Sequence, residues 1–310
     1  MTTVYIACSA RNAGRWIDAF IESLVAQEHR DWELWVRNDG STDDTESRVN
    51  AWRDREPRVA HVIHGESAKG IAQGFADVLR RLPANAELVA TADADDVWLP
   101  DRLSRGVALM HEVQGAPAAP TLVISDLRVV DSELRELAPS FWRSEDLDPS
   151  ETSLRALVIE NVAVNPTMLF NGALLAELRE IPEGAAFADC WIALVAAATG
   201  RIAVINEPTV LYRQHGANDG GARLMSRFAR FRAAWANRAK VRIGLDRMSR
   251  QAGALVAQYG TRMSAGDRAL AEGLATIASA RGWRRKAAIA RWRLVARHGL
   301  LRNVGVLIRG

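Results

Sequence analysis

The chain has 310 residues, 48% of them hydrophobic, enough for a substantial core and, at roughly 150 residues each, for about two domains. No run of about 18 uncharged apolar residues occurs, which argues against a bilayer-spanning helix, and the two cysteines, Cys8 and Cys190, form no CxxC pair, which argues against a cysteine-based zinc site and suits a reducing, cytoplasmic setting. The formal charge of +3 conceals a split, with residues 1–221 balancing at −14 and residues 222–310 at +17, as expected of a chain whose two parts do different jobs.

The start, MTTVYIACSARN, lacks a basic segment followed by an apolar run and a cleavage site, and predicts a buried strand in place of a secretory signal. From there to about residue 125, strand-length apolar runs alternate with helical patterns. The runs are Val4 to Cys8, Trp32 to Val36, Val59 to Ile63, Leu88 to Ala92 and Leu122 to Ile124. Between them, helices are predicted over Trp16 to Ala26, Thr45 to Trp52, Ile71 to Leu82 and Arg102 to Glu112. In the first of these, Ile17, Phe20, Ile21 and Leu24 recur at helical spacing. Such alternation implies βαβ units and a mostly parallel α/β sheet, whose ligands bind beyond the carboxyl ends of the strands.

Residues 113–121 and 138–152 read as irregular, the latter with Pro139 and Pro149. A helix over Leu154 to Glu160, a strand over Thr167 to Phe170, and helices over Ala173 to Leu178 and near Asp189 to Ala198 follow. A strand pair is predicted around Ile202 to Ile205 and Thr209 to Tyr212, and Gly220 and Gly221 close this region. Beyond it the chain is basic and helical. These changes set two domains, 1–221 and 222–310.

Three strand ends carry polar chemistry. Asp93-Ala94-Asp95-Asp96 follows the run Leu88 to Ala92. Carboxylates so close repel one another unless a cation neutralises them. Mg²⁺ or Mn²⁺ is held in this way by one or two carboxylates plus substrate phosphates. Taken alone, the same residues make an acidic turn before a helix; their place at a strand tip favours the cation. Asn38-Asp39-Gly40-Ser41-Thr42-Asp43-Asp44 follows the second run; Gly40 permits an unusual turn, Thr42 or Asp43 can cap the next helix, and Asp39 sits where a carboxylate can meet a base or ribose. Ser9-Ala10-Arg11-Asn12-Ala13-Gly14 follows the first run and contains no GxGxxG, which argues against a dinucleotide enzyme.

In order and spacing, SARNAGRWIDAFIESLVAQ, NDGSTDDT, DADDVWLPDRL, Asp189-Cys190-Trp191 and Tyr212-Arg213-Gln214-His215-Gly216-Ala217-Asn218 resemble family 2 glycosyltransferases of the GT-A fold, over roughly residues 3–219. The likeness is greatest to the bacterial rhamnosyltransferase-like branch, which builds surface polysaccharides. The resemblance implies an inverting transferase that moves a sugar, rhamnose among the options, from a dTDP- or UDP-linked donor to a saccharide or lipid-linked acceptor.

Residue by residue, the resemblance assigns Ser9, Asn12, Asn38, Asp39, Lys69, Gly70, Asp93, Ala94 and Asp96 to the donor. It gives Asp95, Asp93 and His215 to Mn²⁺ or Mg²⁺, and Asp189 to the general base. Trp98, Trp191 and Arg213 are the acceptor candidates, with Trp98, Pro100 and Arg102 also shaping their loop. Departures are Asn38 in place of an acid and Ala188 before Asp189. Asp189 equally suits a helix N-terminus.

The basic region carries two amphipathic stretches. In 223–243, Leu224, Phe228, Phe231 and Trp235 share a face flanked by Arg223, Arg227, Arg230 and Arg238; 281–309 repeats the pattern with Trp283 and Trp292. Such helices suit an anionic membrane surface, which fits a cytoplasmic enzyme held at the inner face of the membrane. The alternative is packing on the first domain. No nucleic-acid recognition motif accompanies the charge. Two rival readings are a nucleotidyltransferase, for which SARNAG lacks the Gly-rich loop, and a non-catalytic protein on the same fold.

Overall fold

The computed structural model describes residues 2–65, 71–115, 118–182, 185, 187–215, 238–277 and 279–280. Lys69, Gly70 and the stretch 281–309 lie outside these, as does 223–243 apart from its last residues, 238–243.

The first half is built as the hydrophobic pattern dictates. Strands β1 (Val4–Ala10), β2 (Trp32–Asp39), β3 (His61–Gly65) and β4 (Leu88–Asp93) alternate with helices α1 (Ile17–Val25), α2 (Thr45–Arg53) and α3 (Ile71–Arg81). They form a parallel array in the order β3-β2-β1-β4. Val4, Ile6, Ala7 and Cys8 of β1 and Val89, Ala90 and Ala92 of β4 are fully buried, as expected of strands covered on both faces.

Beyond β4 the sheet becomes mixed, a departure from a mostly parallel arrangement. After the two-residue β5 (Val97–Trp98) and α4 (Arg102–Val113) come β6 (Thr121–Val130), β7 (Glu136–Ala138), the short helices α5 (Phe141–Glu145) and α6 (Leu154–Ile159), β8 (Leu169–Asn171), α7 (Gly172–Leu178), α8 (Ala188–Thr199) and β9 (Arg201–Arg213). β8 inserts antiparallel between β4 and β6, and β9 runs parallel to β6. The predicted strand pair at 202–212 is one 13-residue strand, β9. Its register against β6 shifts at Ser125, Asp126 and Leu127, a bulge that re-aims the chain. β5 pairs antiparallel with β9, Trp98 opposite Val210.

Arg102 ties these parts together. It is buried, donates to the carbonyls of Pro166, Thr91 and Met168, and stacks 3.5 Å over Trp98. Burial pulls its guanidinium down to about 9. Gly200, between α8 and β9, has no room for a side chain: a Cβ there would stand 1.8 Å from the carbonyl oxygen of Pro120.

The described part of the basic region is two helices, α9 (Arg238–Tyr259) and α10 (Ala265–Ala275). Leu255, Tyr259, Met263 and Ala271 join the main core. Tyr259 lies beside Trp191 with ring centroids 6.2 Å apart, its hydroxyl donates to the Glu177 carbonyl at 2.6 Å, and Arg262 pairs with Glu177 at 2.7 Å. These helices thus pack on α7 and α8. No helix among the described residues is long and apolar enough to cross a membrane.

Candidate active site

Sheet register sets the site. Ser9 aligns with Arg37 on one side and Asp93 on the other, and Ala10 aligns with Asn38, so the polar loops after β1, β2 and β4 leave one carboxyl edge. The first two loops are laced together. Asn12, at φ 51°, takes a hydrogen bond from the Thr42 amide at 2.8 Å and gives its own amide to Ser41 at 3.0 Å. Ala13 donates to the Thr45 hydroxyl at 2.8 Å and Gly14 to Asp43 at 3.0 Å. A Cβ on Gly14 would stand 1.9 Å from the Asp44 carboxylate, so glycine is what lets the loops touch. Asn38 is engaged at both ends of its amide, with Glu46 at 2.8 Å and the Ser41 amide at 3.1 Å. Asp39 is buried against Arg37, which also reaches Asp77.

The acidic turn after β4 divides by role. Asp93 lies partly buried and takes a hydrogen bond from Asn165 at 2.6 Å. Burial, the Asp95 charge and, further off, the Asp189 charge push its carboxyl up to about 7 against that bond. Asp95 faces His215, Oδ2 to Nε2 3.0 Å. Asp96 has no exposure at all. Its Oδ1 accepts from the Arg213 amide at 2.8 Å, and its Oδ2 has no partner among the described residues. Burial, with Asp95 and Asp93 adding to it, raises its pKa well above the ordinary carboxyl value. Asp96 is therefore a clasp between β4 and β9. The Ala94 side chain is likewise buried and leaves only its backbone to the cleft.

The three acceptor candidates lie inside the protein. Trp98 and Trp191 are 2% and 0% exposed. The first is enclosed by Phe20 and Arg102 and the second packs on Tyr259, because large aromatics are the cheapest means of filling a core. Arg213, 3% exposed, donates to the Asp95 carbonyl at 2.8 Å and the Ser132 carbonyl at 2.6 Å, and lies 4.4 Å from the Trp16 ring. It fixes the acidic turn.

Residues the motifs did not single out complete the geometry. Trp16, just before α1, stacks on His215 at 5.2 Å and carries Arg15 at 4.2 Å. Asn165 stands in the 3-10 turn Asn165–Thr167, placed beside Asp93 only by the fold.

Asp189 sits in the first turn of α8, where the helix dipole favours a carboxylate. Its Oδ1 accepts from the Cys190 amide at 2.7 Å. Burial lifts its carboxyl to about 6, against hydrogen bonds from Cys190. The Cys190 thiol, pushed up by burial and by Asp189, lies 3.5 Å from Asn161. A carboxylate held just short of neutral pH is matched to accepting a proton. The structure thus brings Asp93, Asp95 and His215 to one strand tip, with Asp189 near enough for its charge to be felt there.

Among the described residues no group of three or more His, Cys, Asp or Glu side chains is placed to hold a metal ion. Asp95 and His215, in contact with each other, and Asp93 two residues before Asp95 would supply carboxylate oxygens and one imidazole. Such a set fits a divalent ion whose remaining ligands are substrate phosphates.

Residues 5–147 match the model of the family described as Glycosyl transferase family 2. That segment, a little under half of the chain, is similar to the family. It is 27% identical over 230 residues to an uncharacterized glycosyltransferase of Nostoc sp., covering 70% of this chain and 66% of that one. It is 31% identical over 107 residues to the Escherichia coli UDP-Glc:alpha-D-GlcNAc-diphosphoundecaprenol beta-1,3-glucosyltransferase WfgD, covering 34% of this chain and 40% of that one. The chain thus spans less than two thirds of these relatives' length. Among solved structures, S. aureus TarS 1-349 in complex with UDP-GlcNAc superposes with TM-score 0.58 at 16% identity, covering 100% of this chain and 89% of that one. The mannosyltransferase PcManGT from Pyrobaculum calidifontis, in complex with GDP-Man and Mn²⁺, gives 0.52 at 18% identity over 98% and 86%. These structural likenesses establish the GT-A fold. The motif residues Asp39, Asp93, Asp95 and Asp96 all fall inside the matched segment, while Asp189 and His215 lie beyond it.

Proposed function

We propose that this chain is an inverting glycosyltransferase that moves a sugar from a nucleoside diphosphate to a hydroxyl of a saccharide or lipid-linked saccharide, in surface polysaccharide synthesis. The observation that carries this reading is the pairing of the Asp93–Asp95–His215 strand tip with a single carboxylate, Asp189, at the start of a facing helix. Asp95, Asp93 and His215 would hold Mn²⁺ or Mg²⁺, which supplies charge neutralisation for the departing diphosphate. Ser9, Asn12 and Asp39 line the donor side, with Lys69 and Gly70 assigned there from sequence. Asp189 takes the proton of the acceptor hydroxyl as it attacks. The Cys190 amide holds one Asp189 carboxylate oxygen, Oδ1, in place. One base on the face opposite the leaving group gives a single displacement, hence inversion.

The WfgD name carries UDP-Glc and a diphosphoundecaprenol acceptor, which puts UDP-sugars beside dTDP-rhamnose at the head of the donors to test. A thermal-shift panel of UDP-, dTDP- and GDP-sugars, with and without Mn²⁺, is expected to single out one donor. At a hundredfold excess over its Kd that donor adds about 2.7 kcal/mol of native-state stability. No stabilisation by any nucleotide sugar would overturn the reading in favour of a non-catalytic protein.

We place the boundary of the transferase domain at 221/222 and the amphipathic stretches 223–243 and 281–309 of the basic region at an anionic membrane surface. The support is its charge of +17 and its Trp-bearing amphipathic pattern. The full chain is expected to co-sediment with anionic liposomes and to be released by raising salt. Equal binding to neutral liposomes would refute this.

A further inference from the structure

With Trp98, Trp191 and Arg213 all withdrawn into the protein, the acceptor side of the cleft has no assigned residue. Among the described residues four large hydrophobic side chains are exposed: Leu134, Leu137, Phe187 and Ile243. Two of the four belong to one neighbourhood. Phe187 is the extended cap of α8, two residues before Asp189, and is 37% exposed. The guanidinium of Arg247, from α9, lies 5.7 Å from its ring centroid. Ile243, 49% exposed, stands four residues before Arg247 on the same helix and hence on the same face, about 6 Å along the axis.

An exposed aromatic two residues from a carboxylate, with a cation on it and an aliphatic side chain one turn along the cation's helix, forms a graded surface. We propose that Phe187, Arg247 and Ile243 form the acceptor lip of the cleft, and that it takes a saccharide joined to an apolar chain through phosphate. The inference rests on the reading of Asp189 as the base. Along the lip the order is carboxylate, aromatic ring, guanidinium, aliphatic side chain. Along such an acceptor the order is reacting hydroxyl, sugar ring, phosphate, hydrocarbon. A pyranose lays its C–H face on an aromatic ring. A guanidinium is the side chain best matched to phosphate oxygens. The aliphatic side chain extends the apolar path outward. The arrangement also gives α9 a part in recognition.

The test uses the full chain with UDP and Mn²⁺, and calorimetry with dodecyl diphosphates of α-N-acetylglucosamine, α-glucose and α-rhamnose, together with the dodecyl glycosides that lack phosphate. The wild type is expected to bind at least one diphosphate probe. Phe187→Ala should weaken that binding about tenfold, the worth of one aromatic contact, and Phe187→Tyr should preserve it. Arg247→Ala should weaken the diphosphate probe about tenfold, the worth of one charge-assisted contact, and leave the phosphate-free glycoside as in wild type. UDP affinity should be the same in all variants. Failure of the wild type to bind any diphosphate probe, or wild-type affinity in both Phe187→Ala and Arg247→Ala, would overturn the proposal. Full turnover in Asp189→Asn alongside lost probe binding in Phe187→Ala would sink the base assignment and leave the lip standing.

Discussion

Asp189→Asn is expected to lower turnover by about 10²–10⁴-fold, the contribution of a positioned general base, while donor affinity stays within error of wild type. The amide keeps the shape and can still accept from the Cys190 amide, but it cannot take a proton. Wild-type activity should also follow pH in a defined direction. Burial holds the Asp189 carboxyl at about 6. The raised value means the neutral form persists to higher pH than in a free aspartate, and only the ionised form is a base. Turnover should therefore be flat well above pH 6 and fall about tenfold per pH unit below it. That acid limb should be missing from the residual activity of the variant. Initial rates between pH 5 and 8 at saturating donor measure both effects, and a variant with near wild-type rate would remove Asp189 from the chemistry.

Asp95→Ala is expected to cost on the order of 10²–10³-fold in turnover, as does removal of other groups that stabilise developing charge. It should also abolish the dependence of donor binding on Mn²⁺. Calorimetry separates this from simple damage. Without Mn²⁺, variant and wild type should bind the nucleotide sugar equally weakly; with it, only the wild type should tighten. Asp95 is one source of the charge that raises Asp93, so its removal also leaves Asp93 more readily ionised. Retained Mn²⁺-dependent tightening in Asp95→Ala would show that the cation is held elsewhere.

Strands β1 to β4 were legible because each is a largely apolar run set between helical patterns, although β3 starts at His61, two residues into the run Val59 to Ile63. β9 reads as two strands because Asn206, Glu207 and Pro208 break its pattern, yet in the structure Pro208 pairs with Asp126 and the register shifts on either side of it let one strand continue. β5 and β7 have two and three residues, too few to show a period. At the site, Asp93, Asp95, Asp189 and His215 could be named from motif order, since each stands at an element end. Exposure could not. Trp98 and Trp191 carry the residue type of a sugar platform and are core. Phe187, with no motif about it, lies at the surface beside Asp189. Asp96 resembles its neighbours in sequence and differs from them only in facing β9. Asn165 approaches Asp93 across 72 positions of chain, and Arg247 meets Phe187 only after α9 docks. Such pairings arise from tertiary packing and leave no trace in local spacing.

The docking of α9 and α10 on the helix that begins at Asp189 bears on how the protein is made. Trp191 is fully covered with Tyr259 beside it, and Leu255, Met263 and Ala271 complete the same core. During synthesis, α8 leaves the ribosome well before those residues, and until they arrive its outer face is bare hydrocarbon. The nascent chain therefore passes through a sticky stage in which the sheet and its acidic tips can already form but the helix behind the proton acceptor has nothing to lean on.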